Sequence, residues 1–452
     1  MEKEETISPI QQLPYEVLCK IFDFLDINSV KQCSRTCRRW QETIFSDYYI
    51  KRFKMSISLP LCRNEEMQTL KQSNRLYCNV NLRLCSSTAP CVNGAIFNGI
   101  YTIFCYPKLE QLVTLKVAIP TVQHNAKRML TDAIKHMKHL RELHIDSSTG
   151  SLIESNQMDR IQILSQSIQS LVAQAILPTI VKAPKLTSLR VVIYTHQTVP
   201  VHNEKMFYSC RLPNLQDLEL EKKSNGSFAS RLNVNHVLTF FSNLKSLQTL
   251  RLKNERTCGY LFKAICEHCI NLKELFVASL HIVETSTLRN LSNLANLRHL
   301  TFEHIECLEP VPFRAVQLPN LESLAIGSFP ILPETLSAFR CATKITMLGK
   351  NMTPDLITAI ATNMPNLKHI GLKHFSAATL QLLHLFVVAE VLTVEFSISL
   401  LVYSRGTVAN IKEIHSLITE TPKASDIEHL RSQFPKLKLL KVGTMFEKSF
   451  QN

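Results

Sequence analysis

The fold is decided by residues 247–302, which read LQTLRLKNERTCGYLFKAICEHCINLKELFVASLHIVETSTLRNLSNLANLRHLTF. Three segments in this stretch, beginning at Leu247, Leu272 and Leu297, have the form L-x-x-L-x-apolar, and their starts lie 25 residues apart. The alternation of apolar and polar residues at the end of each segment predicts a short strand with one buried face. One such unit cannot bury its own leucines, so we expect several units to stack on one another.

The same pattern extends in both directions along the chain, at intervals of 21 to 32 residues from Leu186 onward. Further segments of this form begin at Tyr77, Leu112, Leu140, Leu186, Leu215, Leu321, Ala342, Leu367, Ala389, Ile411 and Leu437. This periodicity resembles leucine-rich repeats, and Cys269 before one repeat resembles the cysteine-containing subtype. The resemblance implies an α/β fold, in which a solenoid of about 12–14 irregular repeats over residues 75–452 has a parallel sheet on its concave face and helices outside.

Three segments interrupt the rhythm of the repeats. We expect a long insertion at 147–182 with a helix from about Met158 to Ala175, a loop at 194–211, and another loop at 417–436. The C-terminal tail after the last repeat is expected to cap the stack, because an uncovered terminal repeat exposes its core.

Residues 8–47, SPIQQLPYEVLCKIFDFLDINSVKQCSRTCRRWQETIFSD, form a second kind of module. The apolar residues from Leu13 to Leu25 have helical spacing, with Pro14 at the helix start, where a missing N–H costs nothing. Asn28 or Ser29 can cap a second helix, and the stretch from Arg35 to Phe45 predicts a third. Three short helices rarely build a self-sufficient core, so we expect them to pack against the rest of the chain or a partner.

The pattern Leu-Pro-x-Glu-x-Leu-x-x-Ile-Phe-x-x-Leu, followed by Cys-x-x-Trp, resembles an F-box, which we place at residues 8–54. The resemblance implies docking onto the Skp-type adaptor of a Skp–cullin–F-box ubiquitin ligase. The residues that it proposes for this contact are Leu13, Pro14, Glu16, Leu18, Ile21, Phe22 and Leu25. The alternative is that these apolar residues form the module's own core; we favour the core for Val30 and Trp40, and adaptor contact for Leu13 and Pro14.

Composition indicates a chain of the cytoplasm and/or nucleus. The start MEKEETIS lacks the basic and apolar regions of a secretory signal. Without such a signal, the 14 cysteines among the 452 residues are expected to be reduced thiols, as in the cytosol or nucleus. The most apolar stretch, Leu380 to Tyr403, carries Glu390 and Glu395, so a helix followed by a strand is expected there and no membrane contact.

No motif in the sequence predicts catalysis. There is no phosphate-binding glycine loop, no Gly-x-Ser-x-Gly and no His-Glu-x-x-His. The pair Cys266 and Cys269 is the best metal candidate, but a zinc site needs further ligands at ordered spacing. We therefore predict that the chain is not an enzyme and has no cofactor and no metal.

The net charge of +14 lies almost entirely in the repeats, since the first 60 residues contain nine Lys and Arg against eight Asp and Glu. A basic surface can bind nucleic acid. The basic residues are spread over every repeat, however, without an arginine-rich run or an aromatic series for base stacking, which favours a solvated exterior.

The residues between the buried leucines should face out from the strands and form a recognition surface. Parallel stacking predicts Glu219 beside Arg251 and Glu221 beside Lys253, and Phe276 resembles an interaction anchor. The predicted substrate-binding residues are Asp217, Glu219, Glu221, Arg251, Lys253, Glu274, Phe276, His299 and Glu303.

These observations predict the substrate-recognition subunit of a Skp–cullin–F-box ubiquitin ligase. The first segment would bind the adaptor and, through it, a cullin–RING ligase, while the repeats would bind a protein substrate. Two alternatives stay open: a non-catalytic scaffold, and a basic solenoid that binds nucleic acid or chromatin. The sequence names neither the substrate and its degron nor the type of ubiquitin chain.

Overall fold

A computed structural model describes residues 10, 12–59, 77–84, 110–119, 124–147, 160–194, 207–223, 234–307, 313, 316–328, 333–349, 353–374, 377–403, 407–444 and 446–450. The chain divides into two compact units. The first unit comprises Met1–Leu186 with His196–Val199, and the second comprises Thr187–Thr195 with Pro200–Asn452.

The first unit begins with helices and continues with strands. Its helices are α1 (Tyr15–Asp23), α2 (Ile27–Cys33), α3 (Arg38–Ile44), α4 (Asp47–Ile50) and α5 (His124–His136). Its strands are β1 (Lys54–Leu59), β2 (Asn79–Leu84), β3 (Thr114–Ala118), β4 (Glu142–Asp146), β5 (Arg160–Leu164), β6 (Ser170–Gln174) and β7 (Leu177–Lys182).

The start of α2 is fixed by Asp26, and the prediction that Asn28 or Ser29 caps this helix is wrong. The Asp26 carboxylate accepts the backbone N–H groups of Asn28 and Ser29 at 2.8 and 3.1 Å. These hydrogen bonds satisfy two of the free N–H groups at the helix start, which is the role of an N-cap residue. The third helix is also shorter than expected, because it begins at Arg38 rather than Arg35.

Strands β1, β2, β3, β4 and β6 pair in parallel, in that order. The expected helix from Met158 to Ala175 is wrong: residues 148–159 lie outside the described residues, and those from 160 onward form β5 and β6. Ile168, Leu171 and Ala173 are buried, so this stretch is one more repeat, with Ala in place of the last Leu. Strand β5 pairs with β7 in a separate sheet and packs against α5.

The second unit repeats one strand per pattern. Its strands are β8 (Ser188–Tyr194), β9 (Asp217–Lys223), β10 (Thr249–Cys258), β11 (Glu274–Ile282), β12 (His299–Cys307), β13 (Ser323–Ser328), β14 (Lys344–Met347), β15 (His369–Leu372), β16 (Val391–Val394), β17 (Glu413–Ser416), β18 (Leu439–Val442) and β19 (Phe446–Ser449).

Strands β8 to β18 pair in parallel, each with the next along the chain. Each begins two residues after the start of its sequence pattern, and the pattern leucines such as Leu250, Leu275 and Leu300 are at most 1% exposed. The predicted α/β leucine-rich-repeat architecture is thus confirmed. The tail strand β19 pairs antiparallel with β18 and covers its edge, as the capping prediction required.

Helices connect the strands of the second unit. They are α6 (Val234–Ser242), α7 (Gly259–His268), α8 (Pro354–Asn363), α9 (Ala377–Gln381) and α10 (Ala424–Gln433), with 3₁₀ segments at Thr285–Asn293, Pro333–Phe339, Leu383–Leu385 and Ile398–Tyr403. The expected loop at 417–436 is wrong over half of its length, because α10 occupies that half; Ile427 and Leu430 give the helix a buried side. The loop predicted at 194–211 falls largely outside the described residues.

Candidate functional site

The three-helix module has its own small core. Phe22 is fully buried, and its ring makes edge-to-face contacts with Trp40 and Tyr49, at centroid distances of 5.4 and 6.2 Å. The fully buried members of this core are Leu18, Phe22, Val30, Ile44, Tyr49 and Phe53, each at most 5% exposed. The Tyr49 hydroxyl donates to the Cys19 carbonyl and to Asp23, and burial, followed by this Asp23 contact, raises the pKa of Tyr49 well above its usual value.

Side-chain hydrogen bonds hold α1 in place on this core. Arg39 of α3 donates to the carbonyl of Leu13 at the start of α1. Arg52 donates to the carbonyls of Phe22 and Leu25 at its end, each at 3.3 Å. Both ends of the helix are therefore tied to the rest of the module, and its outward side has a defined position.

That outward side is apolar. Pro14, Val17, Ile21 and Phe24 are spaced three, four and three residues apart, which places them along one side of the helix. Val17 and Ile21 are 38% and 37% exposed, and Phe24 is 91% exposed. We call these four residues the α1 stripe. Contiguous exposed apolar side chains often mark a site of interaction with another protein.

Polar residues form the candidate recognition surface of the second unit. The predicted registers are confirmed: Glu219 lies opposite Arg251, and Glu221 lies opposite Lys253, on β9 and β10. The ion pairs, however, differ from the prediction. Arg251 binds Glu274 on the following strand through two N–H···O hydrogen bonds of 2.8 and 3.0 Å, while Lys253 pairs diagonally with Glu219 at 3.1 Å.

The ion pairs differ from the prediction because of Arg190 on β8, which the sequence prediction missed. Its guanidinium lies 2.9 Å from both Glu219 and Glu221, whose side chains are each only 14% exposed. A guanidinium can bridge two carboxylates because its donors point in several directions. These charges are therefore held in fixed positions on β8, β9, β10 and β11.

The remaining predicted residues lie around this network. Phe276 is half-buried, opposite Arg251 on one side and Thr301 on the other. Asp217 is exposed, Glu303 is half-exposed, and His299 is exposed on β12. Farther along the sheet the corresponding positions carry smaller residues, including Ala325 and Gly371.

A second cluster lies at the ends of the longer strands β11 and β12, and it was also missed. In the register that β11 and β12 keep from their start, His281 comes opposite Glu306, and their side chains lie 3.2 Å apart. His304 approaches the same carboxylate at 3.8 Å. The sequence feature that could have indicated this cluster is the stretch after each six-residue repeat pattern, over which β11 and β12 continue as strands.

The helical module matches a known family. Residues 10–55 match the family model described as F-box-like. Residues 10–55 form an F-box-like domain. This match covers only the first part of the chain and confirms the resemblance on which the predicted adaptor contact rests.

Comparison with solved structures gives leucine-rich-repeat likenesses at low identity. The match to the crystal structure of a TLR13–ssRNA13 complex has 14% sequence identity and a TM-score of 0.39, and it spans 86% of this chain and 47% of the matched chain. An internalin (InlF) from Listeria monocytogenes is 15% identical, with a TM-score of 0.31 and coverages of 77% and 88%. A chain of the Rad7–Elc1 complex in yeast is 13% identical, with a TM-score of 0.34 and coverages of 86% and 94%.

These likenesses are too low to carry an argument about ligand or partner. No curated protein matches this sequence. The repeat architecture therefore rests on the strand pairing described above.

The residues predicted for adaptor contact occupy three kinds of position in the F-box-like domain. Leu18 and Phe22 lie in its core, and Leu13 and Leu25 are half-buried against that core. Pro14, Glu16 and Ile21 are exposed. Val17 and Phe24 were absent from the prediction, although the spacing of three and four residues signals both. The adaptor contact itself stays a prediction.

The paired cysteines of the repeats are core residues. Cys266 and Cys269 are fully buried, and the Cys269 thiol points to the Phe241 carbonyl at 4.0 Å. Burial raises the pKa of Cys269 to about 12 and that of Cys266 well above its usual value. Within the described residues, no group of three His, Cys, Asp or Glu side chains is placed to hold a metal ion.

In the described part of the chain, every helix is too short or too polar to cross a membrane.

Proposed function

We propose that this chain is the substrate-recognition subunit of a Skp–cullin–F-box ubiquitin ligase. Its F-box-like domain binds a Skp-type adaptor, which links it to a cullin–RING ligase, and its repeats bind a protein substrate. The observation that carries the proposal is the α1 stripe: an F-box-like domain presents a row of apolar side chains that the chain's own core does not use.

The α1 stripe can supply a useful share of the adaptor affinity. Burying one large apolar side chain stabilises a complex by about 1.5–3 kcal/mol, and Phe24 is almost fully exposed in the free chain. The two ends of α1 are already fixed by Arg39 and Arg52, so little ordering entropy opposes binding. Phe24 and Ile21 are the expected anchors, with Pro14, Val17 and Glu16 around them.

The substrate is proposed to bind the polar strand face from Asp217 to Glu303. Arg190 and Arg251 hold Glu219, Glu221 and Glu274 in fixed positions, so their charges are ordered before a partner arrives. Preorganised charges give specificity, because a partner with the wrong charge pattern leaves them unpaired. Phe276 offers an apolar contact within this polar surface.

In this proposal the chain makes and breaks no covalent bond. It holds the substrate near a ubiquitin-loaded enzyme and raises the effective concentration of the substrate's lysines there. The residues that matter are therefore binding residues at two separate surfaces.

Co-purification with a Skp-type adaptor tests the first half of the proposal. The full chain is compared with an Ile21→Ser, Phe24→Ser variant, and with a matched Val283→Ser, Val387→Ser control at sites that are 75% and 67% exposed. We expect the wild type and the control to retain the adaptor and the stripe variant to lose it. Equal capture of all three chains, or no capture by a folded wild type, would contradict adaptor binding through α1.

A ubiquitylation assay separates the ligase from the scaffold interpretation. The adaptor, a cullin–RING core, a ubiquitin-conjugating enzyme and the chain are combined with a partner captured by the repeats. Transfer of ubiquitin to that partner, lost in an Arg251→Glu, Phe276→Ser variant that still binds the adaptor, supports the ligase proposal. Adaptor binding without transfer would favour the scaffold.

A further inference from the structure

A cleft of about 810 Å³ opens between α2, α3 and β1 of the first unit. Its lining includes Lys31, Arg35, Arg38, Phe53, Lys54 and Met55. None of these residues belongs to the α1 stripe, so the cleft is distinct from the proposed adaptor surface.

The charge of this cleft is one-sided. Lys31, Arg35, Arg38 and Lys54 line it, and no carboxylate does. Within the described residues Lys31, Arg35 and Lys54 form no ion pair; Arg38 pairs with Glu42 on the next turn of α3, where both side chains are largely exposed. Like charges gathered around one cavity repel each other, and an anionic ligand would relieve that repulsion.

The inner wall of the cleft is apolar. Phe53 is 5% exposed, and its ring packs against Phe45 at a centroid distance of 5.6 Å. Met55 and Tyr77 extend this wall. The rings of Phe53 and Phe45 pack against each other, so their contacting faces are not free. Single-stranded nucleic acid binding relies on free aromatic faces on which successive bases stack, so this wall does not favour such a ligand.

We infer that this cleft binds an acidic peptide segment of a partner protein, with an apolar side chain against Phe53 and Met55 and flanking carboxylates or phosphates on the four basic residues. The volume lies within the range of sites that enclose a drug-sized ligand or a few peptide residues. Lysine and arginine at the rim suit such anions, and arginine can contact them through two hydrogen bonds. The proposal does not depend on adaptor binding.

Fluorescence anisotropy on the full chain tests it. The probe is a labelled peptide in which two Glu flank a Phe on each side. The same peptide with phosphoserine in place of Glu distinguishes phosphate from carboxylate ligands, and a Lys-substituted peptide and a labelled single-stranded oligonucleotide serve as comparisons. The variant is Lys31→Glu, Arg35→Glu, and the matched control is Lys182→Glu, Lys185→Glu, which makes the same charge change at exposed sites outside the cleft.

We expect the Glu or the phosphoserine peptide to bind the wild type and the control with dissociation constants within about twofold of each other. The same peptide should bind the cleft variant at least about tenfold more weakly. Binding should also weaken as salt rises, since exposed charges are screened. No binding of either acidic peptide to the wild type, or equal loss in the cleft variant and the control, would overturn the proposal. Oligonucleotide binding that only the cleft variant loses, without acidic-peptide binding, would replace the peptide by nucleic acid and overturn it as well.

The fold of the cleft variant is checked by its Trp40 fluorescence and by its far-ultraviolet circular dichroism. If the charge reversal alters either, the Lys31→Gln, Arg35→Gln variant takes its place. It should weaken binding in the same direction but less. Wild-type affinity in a folded neutral variant would count against the cleft.

Discussion

The two phenylalanines near the end of α1 should behave in opposite ways when either is changed to alanine. Phe22 is fully buried in the core of the F-box-like domain, against Trp40 and Tyr49, and Phe24 is 91% exposed two residues later. Removing a buried Phe side chain costs about 3–5 kcal/mol, because apolar contacts are lost and a cavity remains. Removing an exposed one changes stability by less than about 0.5 kcal/mol.

The assay uses the only tryptophan in the chain, Trp40, whose ring lies 5.4 Å from that of Phe22. Its fluorescence during urea unfolding reports on the F-box-like domain, while far-ultraviolet circular dichroism reports mainly on the repeats. With a urea dependence of about 2 kcal/mol per molar, Phe22→Ala should lower the fluorescence midpoint by about 2 M. Phe24→Ala should leave it within about 0.3 M.

The two phenylalanines should also differ in their effect on adaptor binding. Phe24→Ala should weaken adaptor capture while the fluorescence midpoint stays unchanged, and Phe22→Ala should weaken capture only to the extent that the domain unfolds. Similar midpoints for both variants would refute the assignment of one side of α1 to the core and the other to a partner.

Three further predictions concern the repeats. Gly327→Ala should destabilise the second unit by about 1–3 kcal/mol or more in chemical unfolding, because a Cβ there would lie 1.7 Å from a backbone carbonyl oxygen of the neighbouring strand. Gly259→Ala is the control and should not destabilise it, because the added Cβ meets nothing closer than 3.7 Å. Glu219→Gln should lower the free energy of unfolding by about 1 kcal/mol, because it weakens two ion pairs. The exposed Asp217→Asn serves as the control, and equal effects of the two substitutions would argue against the network of ion pairs. Burial lowers the pKa of His369 below 6.5, so the unfolded chain binds the proton more readily and stability should fall as the pH drops below 6.5. Between pH 7.5 and 5.5 the melting temperature of His369→Gln should therefore fall by less than that of the wild type, and an equal fall would contradict this.

The strands could be predicted from the sequence because their signal is local. A leucine at a fixed place in each repeat is buried whatever its neighbours are, and the two-residue period fixes which side chains face out. The register of Glu219 beside Arg251 followed from this alone. The prediction of a helix after Met158 was wrong because Ala173 takes the place of the last leucine of a repeat, so the apolar pattern resembles a helix as much as a strand.

Side-chain partners were not predictable in the same way. A register gives the neighbour directly opposite, but Arg251 and Lys253 each have several carboxylates within reach, and Arg190 on another strand decides which are taken. The same limit applied to α1. Its spacing shows two apolar sides, and only the packing of Trp40 and Tyr49 shows that Phe22 is inside and Phe24 outside.

We propose that the F-box-like domain recruits a Skp-type adaptor through the exposed side of α1. Titration calorimetry of the purified full chain with a purified adaptor tests it most directly, with Phe24→Ala as the variant and Val283→Ala as the exposed control. We predict saturable binding by the wild type and the control, and at least about tenfold weaker binding by Phe24→Ala. A folded wild-type chain that gives no binding heat and no complex by size exclusion with the adaptor, or a Phe24→Ala variant that binds as well as the wild type, would contradict the claim.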